Sequence, residues 1–202
     1  MLMLPAPRID AGMTVGARPL VIGVGGTVRP GSSSERALVA ALDVASAAGA
    51  RTELFGGAFL ADLPIYNPHK PSCGSEQQRF LAVVRAADGV IVATPGYHGS
   101  VSGVVKNALD GLEGLRDDPR PYLDGRAVGC IVSAAGAQAS GSTLTTLRSI
   151  IHALRGWPTP FGACLDPNGL FDESGAFADP RNAWQVETVA RQVLRFAMRW
   201  AA

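Results

Sequence analysis

Short apolar runs that end in small polar loops, alternating with helical periodicity, recur along this chain and limit what it can fold into. Leu20-Val21-Ile22-Gly23-Val24 is one such run. Val90-Ile91-Val92-Ala93, Ala127-Val128-Gly129-Cys130-Ile131-Val132 and Phe161-Gly162-Ala163-Cys164-Leu165 are others, with a shorter one from Arg51 to Phe55. Continuous hydrophobicity marks strands buried on both faces, and such strands belong to parallel sheets covered by helices. Helical register lies between them: Ala37, Leu38, Ala41, Leu42 and Ala45; Phe80, Val83, Val84 and Ala87 within 75–87; Leu144, Leu147, Ile151 and Leu154 within 141–156. A last register runs through Val186, Val189, Val193 and Ala197. Five strands alternating with about five helices predict an α/β fold, a doubly wound five-stranded parallel sheet with helices on both faces.

A chain of 202 residues suits one such domain, expected over 19–202, and residues 1–18 read as a flexible extension. A net charge of +1 gives no reason to expect nucleic acid or an anionic membrane as partner. The N-terminus lacks the basic and apolar regions of a signal peptide, and no 18-residue apolar span exists, so a cytoplasmic location is the expectation. Cys73, Cys130 and Cys164 form no C-x-x-C pair, which fits a reducing compartment. Cys130 and Cys164 read as small core residues, and Cys73 as an inert loop thiol.

The first loop, Gly25-Gly26-Thr27-Val28-Arg29-Pro30-Gly31-Ser32-Ser33-Ser34, joins a strand to a helix, and Ser32 with Glu35 has the spacing of a capping box. Backbone N–H groups, the positive end of a helix dipole, hydroxyls and Arg29 converge there, an arrangement suited to an anion such as a phosphate. The dinucleotide fingerprint fails at Val28, and the P-loop fails at Ser32, where lysine is required. A single phosphate monoester fits better than a longer phosphate chain. An ordinary strand-to-helix connection with a good cap is the alternative.

The second loop, Thr94-Pro95-Gly96-Tyr97-His98-Gly99-Ser100, precedes a helix with Val101, Val104, Val105, Ala108, Leu109 and Leu112 on one face. A third loop runs from Ser133 to Gln138. In the flavodoxin-like strand order 2-1-3-4-5, strands 1, 3 and 4 are adjacent, so the three loops meet at one carboxyl edge. That predicts a ligand with its phosphate at the first loop and a flat body across the other two. The long connection Gly56 to Cys73, with Pro64 and Pro68, is expected to lack regular structure; His69 in it reads as solvated.

With these motifs the chain resembles the NADPH-dependent FMN reductase family. Gly26-Thr27-Val28-Arg29-Pro30-Gly31-Ser32 is similar to that family's G-S-x-R-x-x-S. Thr94 to Ser100, with Gly103, Lys106, Asn107, Ala108 and Asp110, is similar to T-P-E-Y-N-G-S-x-x-G-x-L-K-N-A-[IL]-D. The resemblance covers residues 19 to 165, with Gly96 in place of the usual Glu, His98 in place of Asn, and fewer glycines in the third loop.

The resemblance implies non-covalent FMN, its phosphate held by Thr27, Arg29, Ser32 and Ser34 and its ring along Pro95, Gly96, Tyr97, His98, Gly99 and Ser100, with Ser133 and Gly136 beyond. It implies hydride from NADPH or NADH, chemistry that belongs to the cofactor and requires no protein acid or base. The acceptor would be free flavin, a quinone, an azo compound or metal oxyanion, or a partner monooxygenase, and the assembly a homodimer or homotetramer. A non-enzymatic electron carrier like a flavodoxin is the competing reading, although such carriers are usually strongly acidic.

Of the individual residues, His98 is a candidate ligand contact and proton donor, and Tyr97 a shield for the ring or a subunit contact. Ser100 and Ser102 are candidate helix caps, Lys106 the partner of an acidic neighbour, and Asn107 and Asp110 loop-orienting groups.

Overall fold

A computed structural model describes residues 18–69 and 74–200. Cys73 and the expected extension, apart from Arg18, lie outside them. Arg18 donates from its guanidinium to the carbonyls of Gly49 and Ala50.

The strands β1 (Leu20–Gly25), β2 (Arg51–Phe55), β3 (Gly89–Pro95) and β4 (Ala127–Ser133) pair in parallel in the order β2-β1-β3-β4. The fifth strand expected over 161–165 is shorter than expected, and a two-residue piece ahead of it shares its place beside β4. β5 (Trp157–Pro158) pairs with Ala127 and Val128, and β6 (Ala163–Leu165) pairs with Ile131 to Ser133. Pro160 lies between the pieces and has no N–H to offer a ladder, so the strand breaks there.

Helices α1 (Ser33–Ala47) and α6 (Pro180–Trp200) cover one face, where Leu38, Leu42, Val189 and Val193 join Val21, Ile91 and Ile131 in one core. On the other face lie α2 (Gly57–Asp62), α3 (Ser75–Ala86), α4 (Gly103–Asp110) with a 3-10 turn over Gly111–Leu115, and α5 (Ala137–Ala153). Phe55, Phe80, Leu109, Leu112 and Leu147 pack there on Ile22, Val92 and Cys130. Burial pushes the Cys130 thiol up to about 12, so it stays protonated at neutral pH.

The connection from Gly56 is not wholly irregular: α2 fits in ahead of Pro64. It lies so close to the first loop that a Cβ on Gly57 would stand 1.8 Å from the Thr27 carbonyl oxygen, so only glycine opens this helix. The helix expected from 141 starts at Ala137, so the third loop is shorter than expected. No helix among the described residues is long and apolar enough to cross a membrane.

Candidate functional site

The carboxyl ends of β1, β3 and β4 bring the three loops together, as adjacency of those strands requires. Between them lies a cleft of about 610 Å³, within the roughly 300–1,000 Å³ of small-ligand sites. Eight of the twelve predicted residues line it: Thr27, Arg29, Ser32, Ser34, Pro95, Gly96, Tyr97 and Ser133.

The end of the cleft at the first loop is built by backbone geometry. Ser32 caps α1, its hydroxyl accepting from the Glu35 amide at 3.4 Å, and it lies 3.3 Å from the Ser34 hydroxyl; both serines are buried. The amides of Ser33 and Ser34, at the start of the helix, have no intrahelical acceptor. The capping box is only half formed. Glu35 does not return to Ser32 but accepts from the Gly57 amide at 2.7 Å, which ties α2 to the first loop. Thr27 accepts from the Arg29 amide and shapes the turn. Arg29 is exposed, without a salt bridge among the described residues, and is the only charged side chain on the cleft wall.

The first two loops are joined directly. The Gly26 amide donates to the Ala93 carbonyl, and the Ser102 hydroxyl donates to the Gly26 carbonyl while accepting from Val105 to cap α4. Ser102 is therefore the cap of α4. Ser100 instead closes a hairpin with Tyr97, each amide donating to the other's carbonyl at 2.9 and 3.0 Å. His98 and Gly99 form its two-residue turn with φ of +52° and +78°, the mark of a type I′ turn.

His98, Gly99, Ser100 and Gly136 are not brought to the cleft wall. The first three belong to the exposed hairpin, and Gly136 is the residue on which α5 begins. The turn also spends most of its amides within the protein. Gly96 donates to Ser133, Tyr97 and Ser100 are paired with each other, and only His98 and Gly99 keep amides with no hydrogen bond among the described residues.

Gly96 has a steric reason to be glycine. A Cβ there would lie 2.7 Å from the Ala134 Cβ and 2.9 Å from the Thr143 hydroxyl oxygen. That hydroxyl is fully buried and, among the described residues, without a hydrogen-bond partner. This chain has filled with Ala134 and Thr143 the space that a side chain at position 96 would need.

The cleft wall also includes residues not named as ligand contacts: Val28 and Ser33 in the first loop, Ser102, Gly103 and Val104 at the start of α4, Ala134 and Ala135 in the third loop, and Pro167. Pro167 follows β6 closely, and a rule that looks past the end of every strand would have found it. Lys106 pairs with Asp110 at 2.6 Å, and Asn107 accepts from the Tyr66 amide and donates to the Pro64 carbonyl, holding the long connection on α4. His69 has its amide bonded to Asn67; among the described residues no group of three metal-binding side chains exists.

These features fit a monophosphorylated planar cofactor: a cleft wall whose single charge is the cation Arg29, set at a capped helix start and beside Pro95 and Gly96.

The family described as NADPH-dependent FMN reductase matches residues 19–169. The NAD(P)H-dependent FMN reductase of Pseudomonas aeruginosa is 29% identical over 165 residues, 80% of this chain and 85% of that one. An FMN-dependent NADPH-azoreductase of Staphylococcus aureus is 41% identical over 93 residues, 46% of each chain. Among solved structures, the NAD(P)H:(acceptor) oxidoreductase FerB of Paracoccus denitrificans has a TM-score of 0.70 at 19% identity, covering 90% of this chain and 98% of that one, a likeness of fold. The family match begins just ahead of β1 and ends beyond β6, so both loops that carry the motifs lie inside it: the chain belongs to the NADPH-dependent FMN reductase family.

Proposed function

We propose that this protein is an oxidoreductase that takes hydride from NADPH or NADH onto FMN and passes the electrons to a small acceptor. The carrying observation is the convergence of three loops on one cleft whose wall has a single charge, the cation Arg29, at its phosphate end. Bound FMN supplies the redox chemistry. The Ser32 and Ser34 hydroxyls, the first amides of α1 and Arg29 hold its phosphate. Pro95 and Gly96 form the shelf for its ring, and Tyr97, half exposed, borders the open side where a nicotinamide or acceptor stacks in turn. No side chain on the wall is needed to move a proton. The acceptor is a free flavin, a quinone or an azo compound, with reduced flavin handed to a monooxygenase as the variant of this reading. The working unit is a homodimer or homotetramer with Tyr97 near the contact.

Flavin absorbance of the purified protein, followed by NADPH and NADH oxidation with FMN, a quinone and an azo dye in turn, tests the reading. Flavin uptake with no nucleotide oxidation would leave an electron carrier instead. Arg29→Ala removes a charge-assisted hydrogen bond of roughly 1.5–3 kcal/mol, so FMN affinity should fall at least about tenfold with little change in melting. Unaltered affinity in that variant sinks the phosphate placement.

A further inference from the structure

Beyond β6 the chain forms a strap, residues 166–179, most of which lies past the matched family region. It is an ordered element. Phe171 and Phe177 pair across it and stack with ring centroids 4.7 Å apart, and the Ala178 amide donates to the Leu170 carbonyl. Its tip is an Asp172 turn: that carboxylate accepts from the Ser174 hydroxyl and from the amides of Ser174 and Ala176. At its base Pro167 is part of the cleft wall.

One polar side chain fastens the strap to the site. Arg36, in the first turn of α1, lays its guanidinium 3.8 Å from the Phe171 ring centroid and donates to the Gly175 carbonyl at 3.3 Å. The helix that starts at the cleft thus also grips the segment whose base is part of the cleft wall. We propose that Arg36 is a positioning residue: by pinning the strap it keeps Pro167 in the cleft wall and slows the release of bound FMN. The inference rests on the functional reading above and assigns Arg36 no contact with the flavin.

The test compares wild type with Arg36→Ala, Arg36→Lys and Phe171→Ala, and with Arg85→Ala as a control at the opposite sheet edge. Hydrogen exchange of the flavin-free protein reads the strap, and the recovery of free-flavin fluorescence on dilution reads FMN release. Losing a cation–ring contact should speed release roughly five- to tenfold in both Arg36→Ala and Phe171→Ala. Amides of 172–178 should lose protection while α1 and the sheet keep theirs. Arg36→Lys, which retains a cation over the ring, should restore most of the effect, and Arg85→Ala should release FMN like wild type.

Unchanged protection in Arg36→Ala, or lost protection with unchanged release, overturns the proposal. Faster release in Arg36→Ala but not in Phe171→Ala also overturns it, because Arg36 would then act by its charge on the phosphate. Failure of wild type to bind added FMN overturns the functional reading and this proposal together, and binding too brief for its release to be followed overturns this proposal alone. Either is told apart because it appears before any variant is made.

Discussion

His98 occupies the left-handed region at φ +52° in the turn that closes the Tyr97–Ser100 hairpin. The left-handed region costs an ordinary residue roughly 1–2 kcal/mol, and asparagine less because its short amide bonds locally. The family pattern has Asn-Gly here, the preferred type I′ pair, so the departure to His bears on the turn more than on the ligand. His98→Asn should therefore stabilise the protein by about 0.5–1 kcal/mol, raising the melting temperature by roughly 1–4 °C for a chain of this size. Since the backbone stays in place, FMN affinity should hold. A lower melting temperature, or a marked loss of affinity, would return His98 to the role of a ligand contact. The sequence pattern alone identified the position as part of the site loop; it did not say whether the side chain or the backbone mattered, because only φ distinguishes the two.

Among the elements, Ser102 links three events: it caps α4, donates to the Gly26 carbonyl of the first loop, and receives the chain from Thr94, whose hydroxyl accepts from the Ser102 amide. Ser102→Ala should cost about 1 kcal/mol through the lost cap, a fall of roughly 2–4 °C in melting, and should weaken FMN binding by freeing one loop from the other. Ser102→Gly tolerates the cap position, so it should recover most of the stability and none of the binding. If both variants bind FMN like wild type, the joint between the loops is unimportant. The cap at Ser32 and the apolar strands were legible because each follows from local chemistry or from a period; the strand order came from the fold class, and Ser102 was one of two candidate caps. The short α2, the divided fifth strand and the strap were not. α2 and the strap depend on contacts made across the fold, Gly57 against Thr27 and Arg36 on Phe171. The break in the strand follows from Pro160, with the Phe161 amide beyond it donating to Gln192 on α6.

Across the whole molecule the two edges of the sheet do different work. The carboxyl edge keeps small loops with unspent amides, and the amino edge is closed by a buried arginine hydrogen-bonded to four carbonyls. Arg126, wholly buried just before β4, closes it. It donates to the carbonyls of Arg85 and Ala87 at the end of α3, and to those of Tyr122 and Asp124 in the turn before β4. Burial pulls its pKa down to about 10, still far above neutrality, so the charge is retained and the four carbonyls hold it in place of water. Nothing in the sequence distinguishes this arginine from a surface residue at a strand start. Arg126→Ala leaves those carbonyls without their donor, a loss of roughly 3 kcal/mol when a buried acceptor costs about 1–3 kcal/mol, which lowers melting by about 6–12 °C. Arg126→Lys should recover only a part, since an ammonium cannot fork to α3 and the turn at once. Because the residue lies at the edge remote from the cleft, FMN affinity of the folded protein should stay within about twofold of wild type. Affinity falling in step with stability would mean that the two edges are coupled, and that the site is held by the fold as a whole and not by its own three loops.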